Sequence, residues 1–103
     1  MTLGELIKTL EQADPTMVVP HGFGSPHSYR GYYEDVAFSP AANVSVASML
    51  EHARSALGQT FTGYKGGEYT MGDWTDCWIS EYSTASGDKI GDTLMYYMLR
   101  QKD

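Results

Sequence analysis

The chain has 103 residues, a formal net charge of −6 and a single cysteine, Cys77. This length fits a single domain, residues 1–103, with one hydrophobic core. The acidic balance excludes non-specific binding of DNA or RNA, because affinity for phosphate backbones requires clustered Lys and Arg. A lone cysteine forms no internal disulfide, and we expect Cys77 to be a small buried residue in a strand rather than a nucleophile.

No apolar run approaches the roughly 20 residues that cross a bilayer. The start of the chain, Met1–Glu5, lacks the basic region and apolar stretch of a secretion signal. We therefore expect a cytoplasmic protein that does not engage membranes. The small size also favours a homo-oligomer, because association buries more surface than a domain of this length can bury alone.

The first residues predict a helix over about Leu3–Gln12. Thr2 and Glu5 have the spacing of a capping box, and Asp14-Pro15 ends the helical pattern. The short apolar run Met17–Val19, bounded by prolines, predicts a strand.

Pro20 is expected to end that strand. The segment His21–Gly31, HGFGSPHSYRG, is rich in Gly, Pro and Ser and predicts an ordered loop. Aromatic and β-branched residues in Tyr32–Phe38 predict a second strand, and Ser39–Asn43 predicts a connector.

Ser45 is typical of a helix N-cap, and Gly58 of the glycine that follows a helix. Between them, apolar residues recur at helical spacing: Val46, Met49, Leu50, Ala53 and Leu57. After this helix, Gln59–Lys65 and Glu68–Met71 predict a hairpin around Gly66-Gly67.

Thr75–Tyr82 predicts a further strand, expected in the centre of the sheet. Asp92–Arg100 favours a C-terminal helix, although the Tyr96-Tyr97 pair would also suit a strand. The predicted fold class is α+β, with a mainly antiparallel sheet of about 4–5 strands and two to three helices.

The predicted loop, extended to Tyr33, has the residue types that bind a phosphate and a planar ring. Gly22 and Gly24 can take positive φ and turn successive N–H groups toward an anion. Arg30 offers a planar fork of donors for the same anion. Ring faces, hydroxyls and exchangeable protons come from the remaining candidates: His21, His27, Tyr29 and Tyr32. The alternative is a structural loop in which Arg30 pairs with Glu34 or Asp35.

Lys65 lies at the tip of the predicted hairpin, beside Tyr64, Tyr69 and Trp74. If the two segments fold close together, Lys65 and Arg30 can hold one anion from two sides, with Tyr69 as a further binding residue. The alternative is an ordinary Gly-Gly turn with an exposed lysine.

A metal or another cofactor is not expected. His21, His27 and Asp35 have zinc-ligating side chains, but His-x5-His is not a standard pairing. No catalytic residue is assigned, since the sequence around Ser28, GFGSPHS, is not the G-x-S-x-G nucleophile elbow. The enzymatic alternative is a small hydrolase or phosphodiesterase that uses His21 and His27 for acid–base chemistry.

Distinctive strings occur over most of the chain: Leu3–Ile7, Asp14-Pro15, Val18–Pro20, His21–Tyr33, Ala56–Gly58 and Tyr64–Met71. Through them the chain resembles a group of short uncharacterised proteins encoded by bacteriophages and some bacteria, particularly actinobacteria. The resemblance implies a phage gene or prophage cargo acting in the host cytoplasm.

Phages encode several unrelated small acidic proteins that oligomerise and sequester the nucleotide signals of host defence. By this analogy of class, the expected function is binding of a small anionic, nucleotide-like ligand. A third hypothesis is a protein–protein inhibitor whose acidic, tyrosine-rich surface comes from Tyr32–Asp35 and Glu68–Trp74.

Overall fold

A computed structural model describes residues 1–29, 32–62, 67–81 and 87–100, and at 28–29 and 32–34 it describes the backbone alone. These residues form an α+β fold of three helices and six strands, which confirms the predicted fold class. In chain order the elements are α1 (Leu3–Glu11), β1 (Val18–Tyr29), β2 (Tyr32–Ser45), α2 (Val46–Ala56), β3 (Thr60–Thr62), β4 (Glu68–Thr70), β5 (Cys77–Ile79), β6 (Asp88–Lys89) and α3 (Asp92–Arg100).

Four strands form one mixed sheet in the order β1-β2-β5-β6. The β1–β2 and β5–β6 pairs are antiparallel, whereas β2 and β5 run parallel. β5 therefore lies between two neighbours, which confirms the central position predicted for this strand. The other two strands, β3 and β4, form a separate antiparallel sheet, as the predicted hairpin required.

The β1–β2 hairpin is the largest departure from the sequence prediction. The predicted loop over His21–Gly31 is wrong for the residues that are described, because β1 continues through Pro20 as far as Tyr29. The predicted connector Ser39–Asn43 is likewise part of β2. β1 is an edge strand, and an edge strand tolerates proline because the N–H on its open side needs no partner in the sheet.

The first two helices begin as their sequences predict. Thr2 and Glu5 form the capping box of α1, and the hydrogen bonds from Thr2 lower the pKa of the Glu5 carboxyl. Ser45 caps α2 by accepting a hydrogen bond from the N–H of Ser48 at 3.0 Å. Gly58, just past α2, has a φ of +83°, a conformation that favours glycine.

One hydrophobic core joins the three helices to the mixed sheet. α1 and α2 contact each other, and α2 also lies against β1. Met95 and Met98 bring one side of α3 into the same core. Phe23 and Phe38 pack together across the β1–β2 pair, with ring centroids 4.6 Å apart. Among the described residues, no helix is long and apolar enough to cross a membrane.

Candidate functional site

The mixed sheet has one polar face toward the end of the β1–β2 hairpin at which Tyr29 pairs with Tyr32, here called the far end. His27 pairs with Ala37 on β2, and Ala37 pairs with Trp78 on β5, so their side chains share one side of the sheet. Side chains alternate along a strand, so Val36 and Phe38 fall on the opposite side, where both are buried in the core. The polar face is formed by His27, Asp35, Asp76, Trp78 and Lys89.

His27 connects β1 to the residue that follows β5. It is 8% exposed, and its Nε2–H donates to the carbonyl oxygen of Ser80 at 2.8 Å. The small side chain of Ala37 leaves room for the imidazole to cross β2. The N–H of Ser80 in turn donates to the carbonyl oxygen of Phe38 at 3.1 Å. Together these bonds fix β1, β2 and the end of β5 relative to one another.

Trp78 forms a second cross-strand contact on the polar face. Its Nε1–H donates to Oδ2 of Asp35 at 3.1 Å, which fixes the orientation of the indole. Farther along, Lys89 Nζ lies 3.5 Å from Oδ2 of Asp76. This ion pair is exposed, so it adds little to stability, but it neutralises charge beside the indole.

Gly22 and Gly24 do not form the anion-binding turn that their sequence suggested. Among the described residues, the positive φ angles belong to Asn43 and Gly58, so the prediction of positive φ at Gly22 and Gly24 is wrong. Gly22 instead allows close packing, because a Cβ there would lie 2.4 Å from Val44 Cγ1. A Cβ at Gly24 would lie 3.7 Å from the Ala41 Cβ, which is an ordinary van der Waals distance.

The two histidines do not converge within one chain. His21 is exposed, whereas His27 is buried, and the register between them shifts between Phe23 and Pro26. That irregularity changes which side of the strand faces the core. Six residues of strand also separate the two rings by roughly 20 Å. Within one chain, the structure therefore does not bring His21 and His27 together as an acid–base pair.

His21, His27 and Asp35 are likewise not brought together in one cluster. Over the described parts of the chain, no group of three or more His, Cys, Asp or Glu side chains could hold a metal ion.

Three of the other predicted binding residues lie on described strands: Tyr29, Tyr32 and Tyr69. Tyr29 and Tyr32 pair with each other where β1 and β2 end. Arg30 and Lys65 lie outside the described residues. Tyr69 lies on β4 opposite Phe61 and packs against the core.

The described parts of the two predicted segments are neighbours. β3 contacts β1, and β4 contacts β2. The small sheet therefore lies against the long hairpin whose far end carries Tyr29 and Tyr32.

Cys77 takes no part in a polar site. It is buried on the core side of β5, as predicted, and burial raises the pKa of its thiol to about 12. The thiolate that nucleophilic chemistry requires is therefore scarce at neutral pH.

The contribution of β5 and β6 to the polar face was not predicted from the sequence. A usable signal lies in residues 76–80, where Asp76, Trp78 and Ser80 alternate with Cys77 and Ile79. This alternation places the first three on one side of a strand. The pairing with Asp35 and His27, however, depends on contacts between distant parts of the chain.

No protein-family model, curated protein or solved structure shows a significant match to this chain.

Proposed function

We propose that this protein binds a small anionic, nucleotide-like ligand at the far end of the β1–β2 hairpin. The observation that carries the proposal is the pair of contacts that fix this end: His27 to Ser80 and Trp78 to Asp35. A binding site requires side chains held at defined positions, and these contacts hold the strands that lead into Tyr29 and Tyr32.

The distribution of positive charge supports Arg30 as the residue that meets the ligand's phosphate. Between Ala13 and Asp88 the chain's Lys and Arg residues are Arg30, Arg54 and Lys65. Arg54 is already engaged by Glu11, with 2.7 Å between Nη2 and Oε2. The proposal assigns Arg30 to the phosphate, because a guanidinium matches its oxygens with two parallel hydrogen bonds.

Lys65 is proposed as a second cation from the neighbouring hairpin. Contacts of β3 with β1 and of β4 with β2 support this role. The half-buried indole of Trp78, held by Asp35, adds a ring next to the same hairpin end. A planar base can stack on such a ring.

In this proposal, the biological role of ligand binding is inferred from the resemblance to phage-encoded proteins. A phage protein that captures a nucleotide signal of host defence lowers its free concentration and need not alter it chemically. Sequestration in the host cytoplasm, by a homo-oligomer, is therefore the proposed role.

Isothermal titration against cyclic dinucleotides, cyclic oligonucleotides and ADP-ribose derivatives tests the proposal. For a ligand that binds, Arg30→Ala is expected to weaken affinity at least tenfold, through loss of a charge-assisted pair of hydrogen bonds. Arg54→Ala is the matched control, because it removes the same charge from a guanidinium already bound by Glu11. Equal losses in both variants, or no binding at tens of micromolar by any nucleotide, would reject the proposal.

Recovery of the ligand separates binding from catalysis. Chromatography of the ligand after long incubation is expected to return it unchanged. Turnover that survives dialysis and repurification, and that is lost in His27→Ala with binding retained, would instead support a phosphodiesterase.

A second candidate function, inhibition of a host protein, is favoured by one surface feature. Trp74 is 74% exposed, and it follows the exposed acidic residues Glu68 and Asp73 in the chain. Exposed tryptophans are enriched among the residues that dominate protein–protein binding. A host protein captured in stoichiometric amount from lysate, released by Trp74→Ala and unaffected by Arg30→Ala, would support this function.

A further inference from the structure

One face of α3 is exposed and has an unusual composition for a surface helix. Met95 and Met98 point into the core. At 100° per residue, the residues on the opposite side of the helix form one continuous outer face: Asp92, Thr93, Tyr96, Tyr97 and Arg100. All five are exposed, so this face, here called the α3 outer face, has no covering element among the described residues.

The centre of the α3 outer face is aromatic. Tyr96 is 54% exposed and Tyr97 is 64% exposed, and their rings meet edge to face at 5.6 Å between centroids. The Arg100 guanidinium lies 4.6 Å from the centroid of the Tyr96 ring. Contact with each other and with Arg100 limits the freedom of the two rings. Tyr and Arg are the side chains that, with Trp, most often dominate protein–protein contacts.

The charged residues on this face complement the same face of a second copy whose α3 runs in the opposite direction. Asp92, Tyr96 and Arg100 are spaced by four residues and form one stripe along the helix. Asp92 and Arg100 are separated by roughly 12 Å along the axis, so they cannot pair within one helix. Among the described residues, neither takes part in an ion pair elsewhere.

We infer that the α3 outer face is a contact between two copies of this chain, related by a two-fold axis near Tyr96. In this antiparallel pairing, Asp92 of each copy lies opposite Arg100 of the other, and the aromatic residues meet at the centre. A two-fold contact uses the same patch on both partners, so the patch must complement itself in reverse order. The sequence Asp92-Tyr96-Arg100 meets this condition.

The size and charge of the protein determine how strong this contact is. A nine-residue helix is roughly 13 Å long, whereas stable interfaces bury about 800 Å² on each partner. Each copy also carries a net charge of −6, which opposes association at low salt except where Arg100 meets Asp92. The expected dimer is weak, with a dissociation constant of about 10–100 μM set mainly by the two tyrosines.

Charge reversal tests both the face and its antiparallel arrangement. Sedimentation equilibrium of the full chain is expected to show a monomer–dimer equilibrium. Asp92→Arg alone and Arg100→Asp alone are each expected to weaken association at least tenfold, because every cross-pair becomes a like-charge pair. An equimolar mixture of the two variants is expected to restore dimers, because both cross-pairs of the heterodimer are then opposite in charge.

Asp92→Arg and Arg100→Asp each place an unfavourable charge at an end of α3, so the stability of the helix needs its own control. Thermal melting establishes that each variant is folded. The neutral variants Asp92→Asn and Arg100→Gln perturb the helix less and are expected to weaken the dimer by a few-fold. A monomeric wild type at about 500 μM, dimers in either charge-reversed variant as strong as wild type, or no recovery in the mixture would each overturn the inference.

Discussion

The near half of the β1–β2 hairpin, around Gly22, and its far half, around His27 and Asp35, are held in place by different kinds of contact. In the near half, Gly22 lies against Val44 and Met49 and leaves no room for a larger side chain. In the far half, His27 and Asp35 form polar contacts with residues at and just beyond β5. Close apolar packing therefore positions one half, and specific hydrogen bonds position the other.

This difference bears on where along the hairpin the proposed ligand would bind. Gly22 is buried, and protein atoms fill the space that a side chain there would occupy. The far half leads to Tyr29 and Tyr32 and carries His27 and Asp35 of the polar face. Gly22 is thus a packing residue rather than part of an anion-binding turn.

Removal of His27 is expected to have the largest effect on stability. His27→Ala deletes a buried ring and leaves the Ser80 carbonyl oxygen without that donor, which we expect to lower the free energy of unfolding by about 3 kcal/mol. Urea denaturation measures the loss. If the far half positions the ligand, nucleotide affinity should fall as well.

Ser80→Ala is the matched control for this change. His27 bonds to the backbone of residue 80, so removal of the Ser80 hydroxyl keeps the contact and is expected to change stability by less than about 1 kcal/mol. A His27→Ala variant as stable as Ser80→Ala would show that the contact does not secure the far half.

Substitution of Gly22 is expected to have the next largest effect. Gly22→Ala places a methyl group 2.4 Å from Val44 Cγ1 and 2.8 Å from Met49 Sδ. Those side-chain atoms must move, and we expect a loss of about 2 kcal/mol in urea denaturation. Gly24→Ala meets only ordinary contacts and is expected to be within about 0.5 kcal/mol of wild type. Equal effects at the two glycines would contradict the packing role of Gly22.

The elements that could be predicted are those whose boundaries are marked by residues close together in the sequence. Thr2, Ser45 and Gly58 marked helix boundaries correctly because capping depends on residues within one turn. The course of β1 could not be predicted in the same way. Pro20 and the glycines after it are typical of loops, and they are tolerated here because β1 is an edge strand packed closely against α2.

The candidate site was predictable only in part. The segment that ends at Tyr29 and Tyr32 was identified from its composition. The contacts of His27 with Ser80 and of Asp35 with Trp78 join residues more than 40 positions apart. The alternation around Trp78 indicates a strand, but not the neighbour that its indole would meet.

A rise in pH is expected to lower the free energy of unfolding by a smaller amount, through the Cys77 thiol on the core side of β5. The Cys77 thiol has a pKa of about 12 in the folded chain and an ordinary value of 9.0. Between these values the unfolded chain loses its proton while the folded chain keeps it, so stability falls as pH rises above about 9. At pH 10 the loss should be about 1.4 kcal/mol.

Comparison with Cys77→Ala isolates this contribution from the titration of Tyr and Lys. Unfolding of both proteins in urea at pH 8 and pH 10 is the measurement. The stability difference between wild type and Cys77→Ala should shrink by about 1.4 kcal/mol over this interval. A constant difference would mean that the thiol ionises equally well in the folded and unfolded chains.

The smallest expected effect tests whether Trp78 and Asp35 act together at the far half. Trp78→Phe removes the indole N–H but keeps a ring, and Asp35 is partly accessible to water, so we expect a loss of about 1 kcal/mol. A double-mutant cycle with Asp35→Ala separates their interaction from changes in ring packing. The effects of the two substitutions should fall short of additive by about 1 kcal/mol, because either one alone breaks the bond. Simple additivity would leave His27 as the contact that fixes the far half, and Trp78 would then serve the proposed site only through its ring.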